Sequence, residues 1–564
     1  MNFPGNKFQG CGVSRFMKGC APGIRLRGRR GQWFAGATVL LFLASATAHS
    51  ASGQTQVTTS QYDNARTGAN LNETLLTPQN VNVKQFGRLA WFPVDGDVYA
   101  QPLYLPAVEI PGKGKHNLVL VVTEHDSVYA FDADKGSVTP LWEVSFVNEK
   151  RGIRTVFSQE VACPFIEPEI GITSTPVVDL STGTVYVLAR TKERNGNQWE
   201  YRQKLHALAI TNGAEKFGGP VSIHASTKET NYLVFQGKID FDPLRENQRA
   251  ALLLSKGKVY IAWASSCDVG PYYGWVMAYD AKTLAQEGVV NLSSGAKESG
   301  IWQADAGPAA DSAGNVYLIT GNGKFTASSG GHDYGDSVVK LGFTAKGLEV
   351  RDYFTPSNQE KLNETDGDFG SGAPLLLPDQ PGPHSHLLLA AGKAGFVYEI
   401  DRDKMGKFRK EDDSHAAQVV TVQKTSMGAP AYWNGHVYYA LQEDAIRDYK
   451  LQNGRLSEQP VVKGAVQIND PGSPAVSANG AKNGIVWVLS TKTWDGPDEK
   501  AVLYAFEGEN LAHKLYSSSE NYARDHAGRA LRFTIPTIAN GKVYVGAKRE
   551  VDVYGLLAPE ERKK

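Results

Sequence analysis

Between residues 262 and 406, glycine-rich loops carry hard oxygen donors beside the indole of Trp302. Asp268 stands in SSCDVGPYYGWVMAYD, Trp302 and Asn322 in GIWQADAGPAADSAGNVYLITGN, and Asp333 and Asp336 in GGHDYGDSVVKL. Carboxylate and amide oxygens are the ligands that calcium takes. An aspartate can remove a hydroxyl proton as a general base, and an indole can hold a planar ring by stacking and area burial. Each group also has an ordinary use. Trp302 can pack between sheets, Asn322 between its two glycines can be a left-handed turn residue, Asp268 can cap a loop, and Asp333 and Asp336 can make Asx turns. Convergence in one pocket is what separates the two readings.

The elements that must position these groups are short strands in a repeat. A small-residue/Pro corner leads into an apolar strand, a Gly or Asn turn, and a second strand of the VYV type. Clear copies are STPVVDLSTGTVYVL (174–188), AGPAADSAGNVYLI (306–319), GAPAYWNGHVYY (428–439), GSPAVSANGAKNGIVWVL (472–489) and TIPTIANGKVYV (534–545). Looser copies start near Tyr99, Ala251 and Gly370, which makes eight. Alternation around β-branched and aromatic residues, with Gly, Asn or Asp at the turns, is hairpin grammar. No copy holds a long 3.6-residue period, so helical solenoids are excluded. The pattern predicts an all-β fold, an eight-bladed β-propeller of four-stranded antiparallel blades over residues 86–556, with seven blades as the alternative. The last copy ends at GAKREVDVYGL, and the first is preceded by a spare strand, GRLAWFPVDG (87–96). Pairing these two would close the ring and remove an open sheet edge.

The unit VYAFDADKGSVTPLWE (128–143) resembles the repeat of the quinoprotein alcohol dehydrogenases, and MAYDAKTL (277–284) and YEIDRDKMG (398–406) are degenerate versions of it. The resemblance covers nearly all of 86–556 and is densest over 262–406. It implies a propeller that binds pyrroloquinoline quinone (PQQ) and calcium. Matched to the family's motifs, Trp302 is the floor under the quinone, Asn322 and Asp268 are metal ligands, and Asp333 is the catalytic base, with Asp336 as the second choice. Asp268 replaces a Glu, with a one-residue slip. YFTPSNQEKLNETDGDFGSGAPLLLP resembles the family's Thr-Pro and Trp-Asp-x-Asp stretch, with Gly367 where Trp stands. AGKAGFVYEIDRDKMG resembles a strand in which Lys393 replaces a cofactor-binding Arg. The family covers its quinone with a disulfide between adjacent cysteines, and this chain has no such pair. GPYYGWVMAYD and GIWQADAGPAAD are similar to a bacterial group of PQQ-like propellers with no established activity.

Two functions from different classes follow. One is an exported PQQ- and calcium-dependent dehydrogenase acting on a small alcohol or sugar. The other is a non-catalytic propeller that binds or assembles an unknown protein or glycan. A hydrolase or lyase using central carboxylates is a third reading.

The ends of the chain and its charge place the protein. Residues 1–53 hold seven basic residues and no acidic one, with an apolar run from Ala35 to Ala48 and small residues after it. This is the pattern of a signal peptide, and Arg29-Arg30 hints at twin-arginine export. Met17 offers a second start. The expectation is a periplasmic or secreted mature chain with no membrane span, a lead-in over 54–85 and a charged tail over 557–564. Beyond residue 53 the chain carries 52 basic and 59 acidic residues, a net charge of −7, which disfavours nucleic acid as a partner. Of the four cysteines, Cys11 and Cys20 precede the expected cleavage. Cys163 and Cys267 then either pair in an oxidising compartment or stay as separate buried thiols. No CxxCH occurs, so covalently attached haem is not expected.

Overall fold

The computed structural model describes residues 55–228, 237–492, 499–560 and 562; the expected targeting segment, 1–53, lies outside them. The described chain is nearly all β. Its only α-helices are single turns at Ser158–Val161, Gln359–Glu364 and Tyr522–Asp525. Among the described residues no helix is long and apolar enough to cross a membrane.

Eight sheets of four or more strands follow one another along the chain, beside one two-stranded ribbon at Ser226–Lys228 and Lys238–Asp240. Sheet 1 comprises Leu103–Ile110, Gly114–Val122, Ser127–Asp132 and Trp142–Ser145. Sheet 2 holds Val177–Asp179, Thr184–Asn195, Gln198–Ala209 and Val221–Ser222. Its long central hairpin also pairs with an inserted strand, Ile153–Phe157. Sheet 3 has Leu253–Ser255, Lys258–Ala262, Trp275–Asp280 and Gln286–Asn291; sheet 4 has Ala309–Ala310, Val316–Ile319, Val338–Thr344 and Gly347–Thr355. Sheet 5 has Leu375–Leu376, Leu387–Ala391, Phe396–Asp401 and Gln418–Thr421; sheet 6 has Ala431–Trp433, His436–Tyr439, Asp444–Gln452 and Val462–Ile468. Sheet 7 has Ala475–Asn479, Lys482–Ser490, Val502–Glu507 and Asn510–Ser517. Sheet 8 takes Thr537–Ala539, Lys542–Ala547 and Glu550–Leu556, and its fourth strand is the early segment Phe86–Pro93, antiparallel to Glu550–Leu556.

The VYV-type strands are apolar throughout because both of their faces are buried. Side chains alternate across a strand, so Val185, Val187 and Ala189 pack towards sheet 1 while Tyr186 and Leu188 pack towards sheet 3. Ile485, Trp487 and Leu489 meet sheet 8, and Val486 and Val488 meet sheet 6. Apolar clusters of this kind join each sheet to the next, and Phe131 of sheet 1 shares one with Tyr544 and Val553 of sheet 8. Serial face-to-face packing of antiparallel sheets is the architecture of a β-propeller.

The lead-in supplies what the repeat leaves unpaired. The second residue of each first strand bonds to it. Tyr104, Val178, Ala310, Leu376, Tyr432 and Val476 donate their amides to the carbonyls of Val57, Thr58, Asn64, Ala65, Thr67 and Gly68 at 2.7–3.0 Å. The Ile538 amide donates to the Tyr62 hydroxyl at 3.0 Å, and the Leu254 carbonyl accepts from Asn64 Nδ2 at 2.8 Å. Residues 57–68 can span on the order of 40 Å even when fully extended, so all eight first strands reach one short segment. Arg66 anchors this segment. Its fully buried guanidinium donates to the carbonyls of Pro308 (3.0 Å), Ser60 (2.6 Å) and Leu252 (3.2 Å) and to Thr59 Oγ1 (2.8 Å).

Arg66→Ala strips four buried acceptors of their donor. It is expected to destabilise the protein by about 3–5 kcal/mol, read as a lowered urea midpoint. A loss below about 1 kcal/mol would show that the lead-in merely rests on the sheets.

Candidate functional site

The loops that precede the first strands meet at a cavity of about 360 Å³. Five lining residues occupy one repeat position, four residues before the first strand: Tyr99 (sheet 1), Arg249 (sheet 3), Ser371 (sheet 5), Met427 (sheet 6) and Phe533 (sheet 8). The lead-in meets the second residue of those same strands, five residues further on. At roughly 3.3 Å per extended residue, at most about 17 Å of chain separates cavity and lead-in. One wall of the cavity is the Cys163–Cys267 disulfide, Cα–Cα 5.5 Å, which ties the loop after Ser158–Val161 to the residue preceding Asp268.

Trp302, Asp268 and Lys393 all line this cavity. Trp302 is half-buried, and its indole meets Tyr272 edge-on at 6.5 Å. The indole lies so close to the Gly321 backbone that a Cβ there would stand 2.8 Å from Trp302 Cδ1 and 2.6 Å from Asp368 Oδ1. Asp268 accepts the Tyr272 hydroxyl at 2.7 Å.

The cavity's other two carboxylates, Asp366 and Asp368, were not among the residues singled out from the sequence. They belong to the turn Asp366-Gly367-Asp368-Phe369 ahead of sheet 5. Lys393, in a hairpin turn of sheet 5, reaches Asp366 Oδ2 at 3.0 Å and Asp368 Oδ2 at 3.3 Å. Asp368 Oδ1 is buried and accepts no hydrogen bond. Burial pushes the Asp368 carboxyl up to about 6; Lys393 pulls it back, while Asp366 and Asp268 push it further up. Burial pushes the Lys393 ammonium down, but the two carboxylates more than offset this and hold it above its ordinary value. Asp366 (φ 54°) and Asp368 (φ 25°) are left-handed without being glycine, as are Cys267 (φ 52°) and Asp268 (φ 55°). Strain of this kind persists only where surrounding structure enforces it.

Asn322, Asp336 and Asp333 stand outside the cavity lining. Asn322 Oδ1 accepts the Asp368 amide at 3.0 Å, and its Nδ2 donates to Asp366 Oδ1 at 2.7 Å. Asp336, fully buried, accepts the Phe369 amide at 3.0 Å. Together they clamp the 366–369 turn from behind. Burial pushes the Asp336 carboxyl up to about 8. Asp333 accepts from the Gly295 amide (2.6 Å) and Thr326 Oγ1 (2.8 Å), which ties two loops together. The carboxylates that share the cavity with the indole are Asp268, Asp366 and Asp368, and Asp333 and Asp336 are not among them.

Among the described residues no group of three or more His, Cys, Asp or Glu side chains forms a ready-made metal site. The hard oxygens around Trp302 come from Asp268, Asp368 and the Asn322 amide. Those are fewer than the six to eight that calcium takes.

No family model and no curated protein matches this chain. Solved structures do. A quinohemoprotein alcohol dehydrogenase from Pseudomonas putida superposes with a TM-score of 0.58 at 15% identity, over 89% of this chain and 80% of that one. The quinohemoprotein alcohol dehydrogenase of Comamonas testosteroni gives 0.56 at 15%, over 89% and 80%. A europium-containing methanol dehydrogenase gives 0.56 at 13%, over 89% of this chain and 98% of that one. At these identities the likeness is one of fold.

Peptide mapping of the purified protein without reductant is expected to return the Cys163 and Cys267 peptides as one linked species. Two freely alkylated thiols would contradict the cavity wall described above.

Proposed function

We propose that this chain is an exported, eight-bladed propeller closed by its Phe86–Pro93 strand, and that it oxidises a small alcohol or sugar with PQQ and calcium held in the cavity. The observation that carries this is the juxtaposition of Trp302 with a strained, buried carboxylate whose Oδ1 makes no hydrogen bond. The quinoprotein folds of the structural neighbours, and a disulfide of the kind kept in oxidising compartments, support it.

The residues fit such a group in the chemistry of their side chains. The cavity volume is within the range of small-molecule sites, roughly 300–1,000 Å³. Asp268 and Asn322 would offer calcium their side-chain oxygens, too few by themselves, so the remaining ligands would come from the cofactor and water. When bound, PQQ with calcium supplies the two-electron acceptor and a Lewis acid. The chain supplies the rest. Trp302 gives the flat wall, and Lys393 fixes Asp368 through Oδ2. Asp368 Oδ1 takes the proton of the substrate hydroxyl, its raised pKa matching a general base near neutral pH. Asn322 and Asp336 are positioning residues that hold the turn.

Protein reconstituted with PQQ and calcium is expected to reduce an artificial dye when given primary alcohols or sugars. Asp368 acts ionised, so kcat/KM rises with pH through about 6. Asp368→Asn should lower kcat by about 10²-fold or more, whereas Asp333→Asn should change it less than threefold. No activity with any alcohol or sugar, or equal losses in the two variants, would sink the proposal.

A further inference from the structure

A second group in the cavity is not used by the chemistry above. Arg249 lines the wall with its guanidinium over the Phe533 ring at 5.0 Å and the Tyr99 ring at 5.8 Å. Arg532 covers the same Phe533 ring at 4.6 Å and also lines the cavity; its Nη2 lies 3.7 Å from Asp470. Among the described residues Arg249 has no carboxylate within ion-pair reach and its guanidinium makes no hydrogen bond. Burial and the nearby Arg532 both press its charge down, against Tyr99, Asp305 and Glu124, which hold it up. Beside it, Ser266 Oγ and Asn247 Oδ1 are buried and have no hydrogen-bond partner.

A half-buried guanidinium without a counter-ion is costly, and the two aromatic faces offset only part of that cost. Two guanidinium groups around one ring, with a buried hydroxyl beside them, are the donors that a planar carboxylate satisfies bidentately. We propose that Arg249, assisted by Arg532 and Ser266, is a carboxylate-binding subsite, so that the cavity selects an organic anion with an apolar or aromatic body. This deepens the reading of the cavity as a small-molecule site. It does not require redox chemistry. The carboxylate is the substrate's, held apart from the ring that would lie on Trp302.

The test uses the full mature chain without added metal, with binding followed by calorimetry. Mandelate should bind and its neutral counterpart mandelamide should bind at least about tenfold more weakly. Arg249→Gln should weaken mandelate by at least about tenfold and leave mandelamide unchanged, with Arg532→Gln giving a smaller loss. PQQ then assigns the carboxylate. Binding of mandelate alongside PQQ supports the proposal; displacement of mandelate by PQQ gives the subsite to the cofactor and overturns it. Equal affinity for mandelate and mandelamide, binding of neither, or a folded Arg249→Gln protein that retains mandelate affinity overturns it. The wild-type comparison stands even if the variants fail to fold. Since no dye reduction is involved, its failure is distinct from failure of the dehydrogenase reading.

Discussion

The hydrogen bonds between residues 57–68 and the second residue of each first strand are the constraint on which the rest of the molecule depends. First strands in such a fold have one unpaired edge, and unpaired amides buried about an axis cost free energy comparable to a lost hydrogen bond each. One short segment satisfies seven of these amides and, in sheet 3, the Leu254 carbonyl. It draws the eight strands to a common axis and, through Arg66, fills the core of one end. The loops at the other end then converge whatever their sequences, because each is five residues from an anchored position.

That geometry explains how residues from distant parts of the chain share one cavity. Position four before the first strand is occupied by Tyr99, Arg249, Ser371, Met427 and Phe533, chemically unrelated residues brought together by register alone. The carboxylate end is built differently. The Asp366–Phe369 turn is strained, and its conformation is held by Asn322 on one side, Asp336 behind, and Lys393 across the two carboxylates. Freed of those contacts, the turn would relax and Asp368 would lose both its burial and its raised pKa.

Much of the fold was legible because the repeat carries its own physics. Runs such as GTVYVL are apolar on both faces only when a sheet is sandwiched, and Pro corners mark where seven of the eight first strands begin, all but Leu253–Ser255. The role of the lead-in was not legible. YDNARTGAN has no periodicity, and its bonds run through backbone atoms that any sequence has. Within the site, the motifs point to Trp302, Asp268 and Lys393, which all line the cavity, and to Asn322 and Asp336, which bond to the 366–369 turn beside it; a motif names an oxygen but not the partner it meets. Asp368 was overlooked although TDGDFG stood in a quoted segment, because its neighbour Gly367 replaces the expected Trp. Arg249 and Phe533 have no local motif. Aligning the repeats on their corners and reading the position four residues upstream would have exposed both.

The central claim is that this cavity holds a planar quinone against Trp302 with Asp368 as the adjacent base. The most direct measurement is a crystal structure of the mature chain grown with PQQ and calcium. The account predicts flat density over the Trp302 indole, a cation among oxygens of Asp268, Asn322 and the ligand, and Asp368 Oδ1 facing the open end of the ring. A cavity filled only by solvent at saturating PQQ, or a ring bound away from Trp302, would contradict it.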